Sequence, residues 1–263
     1  MFSLWFSCYL LLTAAALFQA LIGLYLAWDH YHHTHARYTR NQFPENGARA
    51  ALLSPCKGRD VKLEENLLAL LEQDHPNFEV IFVVESEQDP ACPVIRDVIN
   101  RRPRTKAKLV VAGISADCGQ KIHNLLAATE AADPRAAIFA FVDSDAGPRP
   151  DWLRNLARPL RFPKIGAVTA YRSFLPTRDD LPHRVLCSIN GMVSGLIGSN
   201  RTRQLIWGGS WSVRREDFEK HVRPHWKQRI CDDLSATQAI MGAGLVVDFE
   251  PRAMVASPLR TDW

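Results

Sequence analysis

A chain of 263 residues with 47% hydrophobic side chains can bury one sizeable core and still supply a membrane segment. The formal net charge is only +4, and the densest basic run, Arg101-Arg102-Pro103-Arg104-Thr105-Lys106, has no interleaved aromatics; that argues for a solvated loop and against a nucleic-acid partner. Six cysteines (Cys8, Cys56, Cys92, Cys118, Cys187, Cys231) lie far apart without CxxC or Cys/His zinc spacing, which argues against a disulfide scaffold or structural zinc and for reduced thiols in a cytosolic compartment.

Leu4 to Trp28 carries no charged side chain and is rich in Leu, Ala, Phe, Trp and Tyr, so it is long enough to cross a bilayer as a helix with some tilt. Trp5 and Tyr9 near one end, and Tyr25 and Trp28 at the other, suit the two interfacial belts. A cleaved signal peptide would need basic residues before the run and a small-residue cleavage site after it; neither is present. Residues 1–30 therefore read as an anchor. Arg37, Arg40 and His30, His32, His33 and His35 follow the span, while nothing basic precedes it. The positive-inside rule then puts the rest of the chain on the cytoplasmic side of the membrane. Residues 31–49 read as a juxtamembrane linker, polar from Tyr38 onward, and residues 50–263 as one folded domain.

Within that domain the hydrophobic pattern alternates. Ala50 to Ser54 predicts a buried strand broken by Pro55, followed by the loop Pro55-Cys56-Lys57-Gly58-Arg59-Asp60. Leu63 to Leu71 has helical leucine spacing, and Phe78 to Val84 is a second buried strand ending in Glu85-Ser86-Glu87-Gln88-Asp89-Pro90. A helix from Cys92 to about Arg101, a strand Lys108 to Ala112, and a helix opening at Gln120-Lys121 continue the series. This order predicts an α/β domain with a mostly parallel, Rossmann-like sheet covered by helices on both faces. Beyond Asp151 a helix Trp152 to Leu160, a strand Ile165 to Tyr171, a partly apolar helix Leu181 to Ser199, a helix Arg215 to His221, a helix opening at Cys231-Asp232-Asp233 and a strand Leu245 to Phe249 are expected.

The most chemically legible stretch is Ala137 to Trp152. Ile138 to Val142 is an unbroken apolar run, the signature of a strand buried on both faces, and Asp143 and Asp145 follow with one residue between them. Side chains alternate along a strand, so both carboxylates project the same way from its C-terminal edge, where open α/β sheets bind ligands. Two hard oxygen ligands suit Mg²⁺ or Mn²⁺, and such an ion suits a diphosphate. The same pair would also serve as turn residues ahead of the next helix. Lys57, beside Gly58 in the loop after a strand, and Lys121, two residues past Gly119 where the next helix opens, are candidate diphosphate contacts. Asp232-Asp233 equally satisfies a helix N-cap and first turn.

Taken together, an ordered set of stretches resembles the family 2 glycosyltransferases, and within them the ceramide glucosyltransferase-like branch. The pieces are Ser54-Pro55-Cys56-Lys57-Gly58 with Glu65-Asn66-Leu67, Asp74-His75-Pro76-Asn77, Asp89-Pro90-Ala91, Gln120-Lys121-Ile122-His123-Asn124, Asp143-Ser144-Asp145, Gly208-Gly209-Ser210 with Arg214-Arg215-Glu216-Asp217, and Asp232-Asp233-Leu234. The resemblance implies a glycosyltransferase-A fold, a UDP-sugar or similar nucleotide-sugar donor, a divalent metal and an inverting transfer to a lipid acceptor. It places Asp89, with Glu85 nearby, at the nucleotide's base and ribose. It makes Asp143 and Asp145 the DxD pair holding metal on the diphosphate, and Asp233, with Asp232 as neighbour, the general base. Relatives carry a Q/RxxRW motif and C-terminal membrane helices after this point, whereas here Arg260-Thr261-Asp262-Trp263 echoes the motif poorly. The expectation is therefore a C-terminally shortened catalytic domain, with a separate C-terminal or transmembrane partner chain as one source of the remainder. A polysaccharide acceptor, or a catalytically silent nucleotide-sugar-binding partner, are the alternative readings.

Overall fold

In the computed structural model, which describes residues 2–39, 44–194, 197–202 and 204–259, the apolar runs become strands as their uniform hydrophobicity requires. The strands β1 (Ala50–Pro55), β2 (Phe78–Val84), β3 (Lys106–Val111) and β4 (Ile138–Val142) pair in parallel in the order β3-β2-β1-β4. The crossovers are the helices α1 excepted: α2 (Leu63–Leu71), α3 (Ala91–Arg101) and α4 (Gln120–Ala131) follow β1, β2 and β3 in turn, while α1 (Phe2–Thr39) precedes the sheet. Both faces of β1, β2 and β4 are buried, which is why these strands are almost wholly apolar, whereas the edge strand β3 is half-buried or exposed and carries Lys106 and Lys108. Leu52, Val80, Phe82 and Ala140 face α2, α3 and the helix α5 (Trp152–Ala157) on one side. Leu53, Ile81, Val83, Phe139 and Phe141 face α4 and the later helix on the other.

The second half of the sheet departs from the sequence expectation. The tract after Gly208-Gly209 forms β7 (Ser210–Arg214), inserted antiparallel between β4 and β5 (Ile165–Thr169), with β8 (Val246–Phe249) on the far edge. Trp211 of β7 stacks on Phe141 of β4 at 4.2 Å between ring centres, and the Trp152 indole donates to the Ser210 hydroxyl at 2.8 Å. These aromatic contacts seat β7 beside the strand that ends in Asp143. The expected strand to Tyr171 stops at Thr169, because the chain turns into a second, two-stranded parallel sheet of β6 (Arg172–Pro176) and β9 (Val255–Leu259). Neither strand reads as one in sequence: each is short, contains proline and is only partly buried. The expected helix from Leu181 is α6 (Leu181–Ser194), and the last helix is α7 (Asp232–Gly242).

The N-terminal helix is long and apolar enough to cross a membrane by length and composition. Its helix runs on past Trp28 to Thr39, so residues 31–39 of the expected linker are helical; residues 40–43, including Arg40, lie outside the described residues. The His30 ring donates from Nδ1 to the Ile197 carbonyl at 2.7 Å, and the His33 ring from Nε2 to the Phe249 carbonyl at 3.0 Å. Arg37, 2% exposed, meets the fully buried Asp248 at 2.5 Å and Glu250 at 3.7 Å, and Asp248 also takes Arg201 at 2.5 Å. Removing one partner of a buried pair costs about 3–5 kcal/mol because the other charge stays desolvated. Asp248→Ala is accordingly expected to destabilise the detergent-solubilised chain by about 3 kcal/mol or more in urea unfolding followed by tryptophan fluorescence. A loss below about 1 kcal/mol would mean the pair behaves as a solvated one.

Candidate active site

The strand order places the site. β1 and β4 lie side by side while the chain runs on from β1 to β2 on one flank and from β4 to β5 on the other, so a crevice opens beyond their carboxyl ends, where such sheets bind ligands. A cleft of about 440 Å³ occupies this position. It is lined by Pro55, Cys56, Lys57 and Asp60 after β1, Glu85 after β2, Gln120, Lys121 and Asn124 from the start of α4, the Asp143-Ser144-Asp145 turn, and Arg172.

The turn after β4 is held from both sides. Asn66 of α2 donates to the Ser144 carbonyl at 3.1 Å, and the Gly147 amide donates to the Ala256 carbonyl at 3.1 Å. Asp143 and Asp145 address one point in space: a single Arg172 nitrogen lies 2.8 and 3.0 Å from the two Asp145 oxygens and 3.3 Å from Asp143 Oδ2. Burial holds the Asp145 carboxyl above the usual carboxylate range, with Arg172 pulling the other way and Asp143 adding to the rise.

Lys121 joins this pair to a second one. Its ammonium lies 2.9 Å from Asp143 Oδ1 and 3.3 Å from Asp232 Oδ2. Burial works against the Lys121 charge, but Asp143 and then Asp232 raise its pKa above the ordinary lysine value overall. Asp232 is buried, and that desolvation lifts its carboxyl above the normal range although Lys121 opposes it. Asp233 accepts from the Leu234 amide at 2.7 Å, the Gly208 amide at 3.2 Å and the Cys231 thiol at 2.8 Å. The backbone of Gly208-Gly209 passes between the two acid pairs. A methyl on Gly209 would sit 3.0 Å from Asp143 Oδ2, and one on Gly208 would sit 3.0 Å from Asp233 Oδ2. Only glycine fits such an approach without displacing a carboxylate.

The structure thus brings Asp143, Asp145, Asp232, Asp233 and Lys121 into one cluster. Lys57, 82% exposed, stands on the opposite wall 3.9 Å from Glu85. Asp89, Asp232 and Asp233 are not among the cleft-lining residues; Asp89 Oδ1 accepts from the Gly58 amide at 2.9 Å and the Ala91 amide at 2.8 Å, so it ties the Lys57-Gly58 loop to α3. Asp60, Arg172, Gln120 and Asn124 are cleft residues that sequence reasoning passed over. Asp60 had a signal, since it follows the carboxyl end of a predicted strand. Arg172 had none, because it begins a strand that the pattern did not reveal. Among the described residues no group of three or more His, Cys, Asp or Glu side chains could hold a metal unaided. Two carboxylates converging on one cation do fit an ion whose remaining ligands are substrate phosphates, the usual way Mg²⁺ is held at such sites.

A mostly parallel sheet with an aspartate pair at the end of its fourth strand has the architecture of a glycosyltransferase of the A type, and solved structures share it. A mannosyltransferase from Pyrobaculum calidifontis, in complex with GDP-Man and Mn²⁺, superposes with a TM-score of 0.60 at 19% identity, covering 92% of this chain and 69% of that one. S. aureus TarS 1-349 in complex with UDP-GlcNAc gives a TM-score of 0.55 at 14% identity, covering 82% of this chain and 60% of that one. Residues 9–263 match glycosyl transferase family 21, and the chain belongs to that family. Among curated proteins, ceramide glucosyltransferase 1 of Caenorhabditis elegans is 29% identical over 120 residues, 45% of this chain and 25% of that protein. The ceramide glucosyltransferase of Komagataella phaffii is 28% identical over 103 residues, 38% of this chain and 20% of that protein. The expected likeness to the ceramide glucosyltransferase branch is therefore found, over about a quarter of those relatives' length.

The Lys121 bridge has a measurable consequence. Lys121→Met removes the cation that lowers the Asp232 pKa and leaves the burial that raises it. The Asp232 carboxyl, followed by carbon NMR of labelled aspartate, is expected to titrate at higher pH than in the unaltered chain. An Asp232 midpoint that stays put or moves down would mean that Lys121 does not neutralise it.

Proposed function

We propose that this chain is a membrane-anchored, inverting hexosyltransferase that moves a sugar from a UDP donor to the hydroxyl of a ceramide-like lipid. The observation that carries the reading is the Lys121 ammonium set between Asp143 and Asp232, which links the DxD pair at the cleft to the Asp232-Asp233 pair beside it. The lipid acceptor is supported by the ceramide glucosyltransferase relatives, and the donor class by neighbours that bind GDP-Man with Mn²⁺ and UDP-GlcNAc. The basic residues that follow the apolar span support a catalytic domain on the cytoplasmic side. The domain division proposed is an anchor at residues 1–30, a juxtamembrane segment at 31–49 and a catalytic domain from residue 50. A C-terminal or transmembrane partner chain would complete the acceptor side.

Asp143 and Asp145 would hold Mg²⁺ or Mn²⁺ on the donor diphosphate, where the ion supplies charge to stabilise the leaving nucleotide. Lys121 and Lys57 face the same region and add positive charge to it. Glu85 on the wall, with Asp89 shaping the loop beside it, serves the base and ribose. Asp233 accepts the acceptor hydroxyl's proton as that oxygen attacks the sugar from the face opposite the leaving group. Asp232, buried against Lys121, sets the charge beside it.

The metal assignment predicts that Asp143→Asn or Asp145→Asn weakens Mg²⁺- or Mn²⁺-dependent UDP binding in titration calorimetry. UDP binding indifferent to both EDTA and the substitutions would sink it. The base assignment predicts a split between binding and turnover. Asp233→Asn keeps an oxygen for the Leu234 amide, so the fold should tolerate it. Transfer from UDP-sugar to ceramide in reconstituted vesicles should fall by roughly 10²-fold or more, the scale of lost general-base catalysis. Donor affinity should stay close to wild type, because the loss is confined to the transition state. Normal transfer by Asp233→Asn alongside a dead Asp232→Asn would move the base by one residue.

A further inference from the structure

Helix α6 has one face that the rest of the described chain leaves uncovered. Its packed side carries His183, fully buried, and Asn190, 7% exposed. The His183 ring pairs with Asp180 at 2.5 Å, while Asn190 donates to the Arg172 carbonyl at 3.3 Å and accepts from the Phe174 amide at 3.1 Å and from the Tyr171 hydroxyl. On the other side Leu181, Val185, Ile189 and Met192 are 73, 46, 54 and 74% exposed. Their spacing of four, four and three places them within an arc of about 80° on the helix surface. Apolar residues exposed singly are ordinary, but a continuous stripe along a helix marks a contact surface.

What covers the stripe is indicated by where the helix ends. Directly after α6, Ile197 and Ser199 fasten to the N-terminal helix at the first residues beyond its apolar run. The Ile197 carbonyl accepts from His30, and Asp29 accepts from the Ser199 amide at 2.8 Å and its hydroxyl at 2.6 Å. Tyr25 and Trp28, the aromatic end of the span, lie one turn back. In a bilayer that position is the headgroup region, so one end of α6 is pinned at the membrane surface.

We infer that α6 is an interfacial helix, lying on the bilayer with Leu181, Val185, Ile189 and Met192 in the lipid boundary. The inference rests on the proposal that the N-terminal helix spans the membrane. The occupant of the stripe is lipid, because the tether at Asp29 and His30 makes the contact intramolecular and removes the need for strong independent partitioning. The opposite side of α6 holds the backbone of Arg172, the residue that bridges Asp143 and Asp145. Bilayer surface and acid cluster are thus fastened to the two sides of one helix.

Site-directed nitroxides test this in the full chain reconstituted into phosphatidylcholine vesicles, with Cys8, Cys118, Cys187 and Cys231 replaced by serine. Labels at Ile189→Cys and Met192→Cys are compared with Leu17→Cys in the span and Arg104→Cys in an exposed loop. Collision with oxygen relative to an aqueous nickel chelate should be several-fold higher at Ile189 and Met192 than at Arg104, in the direction of Leu17. Leu17 in lipid with Ile189 and Met192 in water would overturn the inference and leave the span standing. Leu17 in water would overturn the span, and the interfacial helix with it. Labels shielded from both reagents and broadened by a second nitroxide would overturn it in favour of contact between copies of this chain.

Discussion

The three clustered carboxylates Asp143, Asp145 and Asp232 repel one another, and the arrangement of this molecule follows from the two cations that hold them. Lys121 stands between Asp143 and Asp232, and Arg172 between Asp143 and Asp145. Without them, burial of Asp145 and Asp232 would favour neutral acids with little use for binding a cation or accepting a proton. Under the proposed function, a divalent ion and the donor diphosphate would take over the charge balance that these cations provide.

Each of these groups reaches the cleft from a different element, and the elements converge because the sheet changes direction there. Asp143 and Asp145 leave β4, Lys121 opens α4 after β3, Asp232 opens α7, and Arg172 begins the small second sheet. The antiparallel strand β7 closes the arrangement by bringing Gly208-Gly209 through the gap between the acid pairs. Stacking of Trp211 on Phe141 fixes that strand against β4. Packing deep in the core therefore sets the distance between groups at the surface of the cleft.

The N-terminal helix is tied to the same body. Arg37 is buried against Asp248 and Glu250, while Asp29, His30 and His33 hold Ser199, Ile197 and Phe249. A buried ion pair contributes little net stability against an apolar alternative, but it specifies one docking geometry strongly. That specificity fixes one orientation of the N-terminal helix relative to the sheet.

Much of this was legible in the residues themselves. Continuous apolar runs separated by helical spacing determined a parallel sheet buried on both faces, since no other arrangement hides such strands from water. The position of Asp143 and Asp145 at the end of one run determined that the pair would stand at the carboxyl edge of the sheet, where the cleft lies. The apolar stretch Leu4 to Trp28 determined a helix of membrane length. Local pattern did not reveal β6, β7 or β9, whose short, glycine- or proline-marked strands depend on partners far along the chain. Nor did it reveal Arg172 as a partner of Asp145, or Asp89 as a brace for Gly58 rather than a wall of the cleft. Those assignments belong to the tertiary structure alone, because a charge acquires its partner only when distant segments are packed together, and sequence spacing records nothing of that distance.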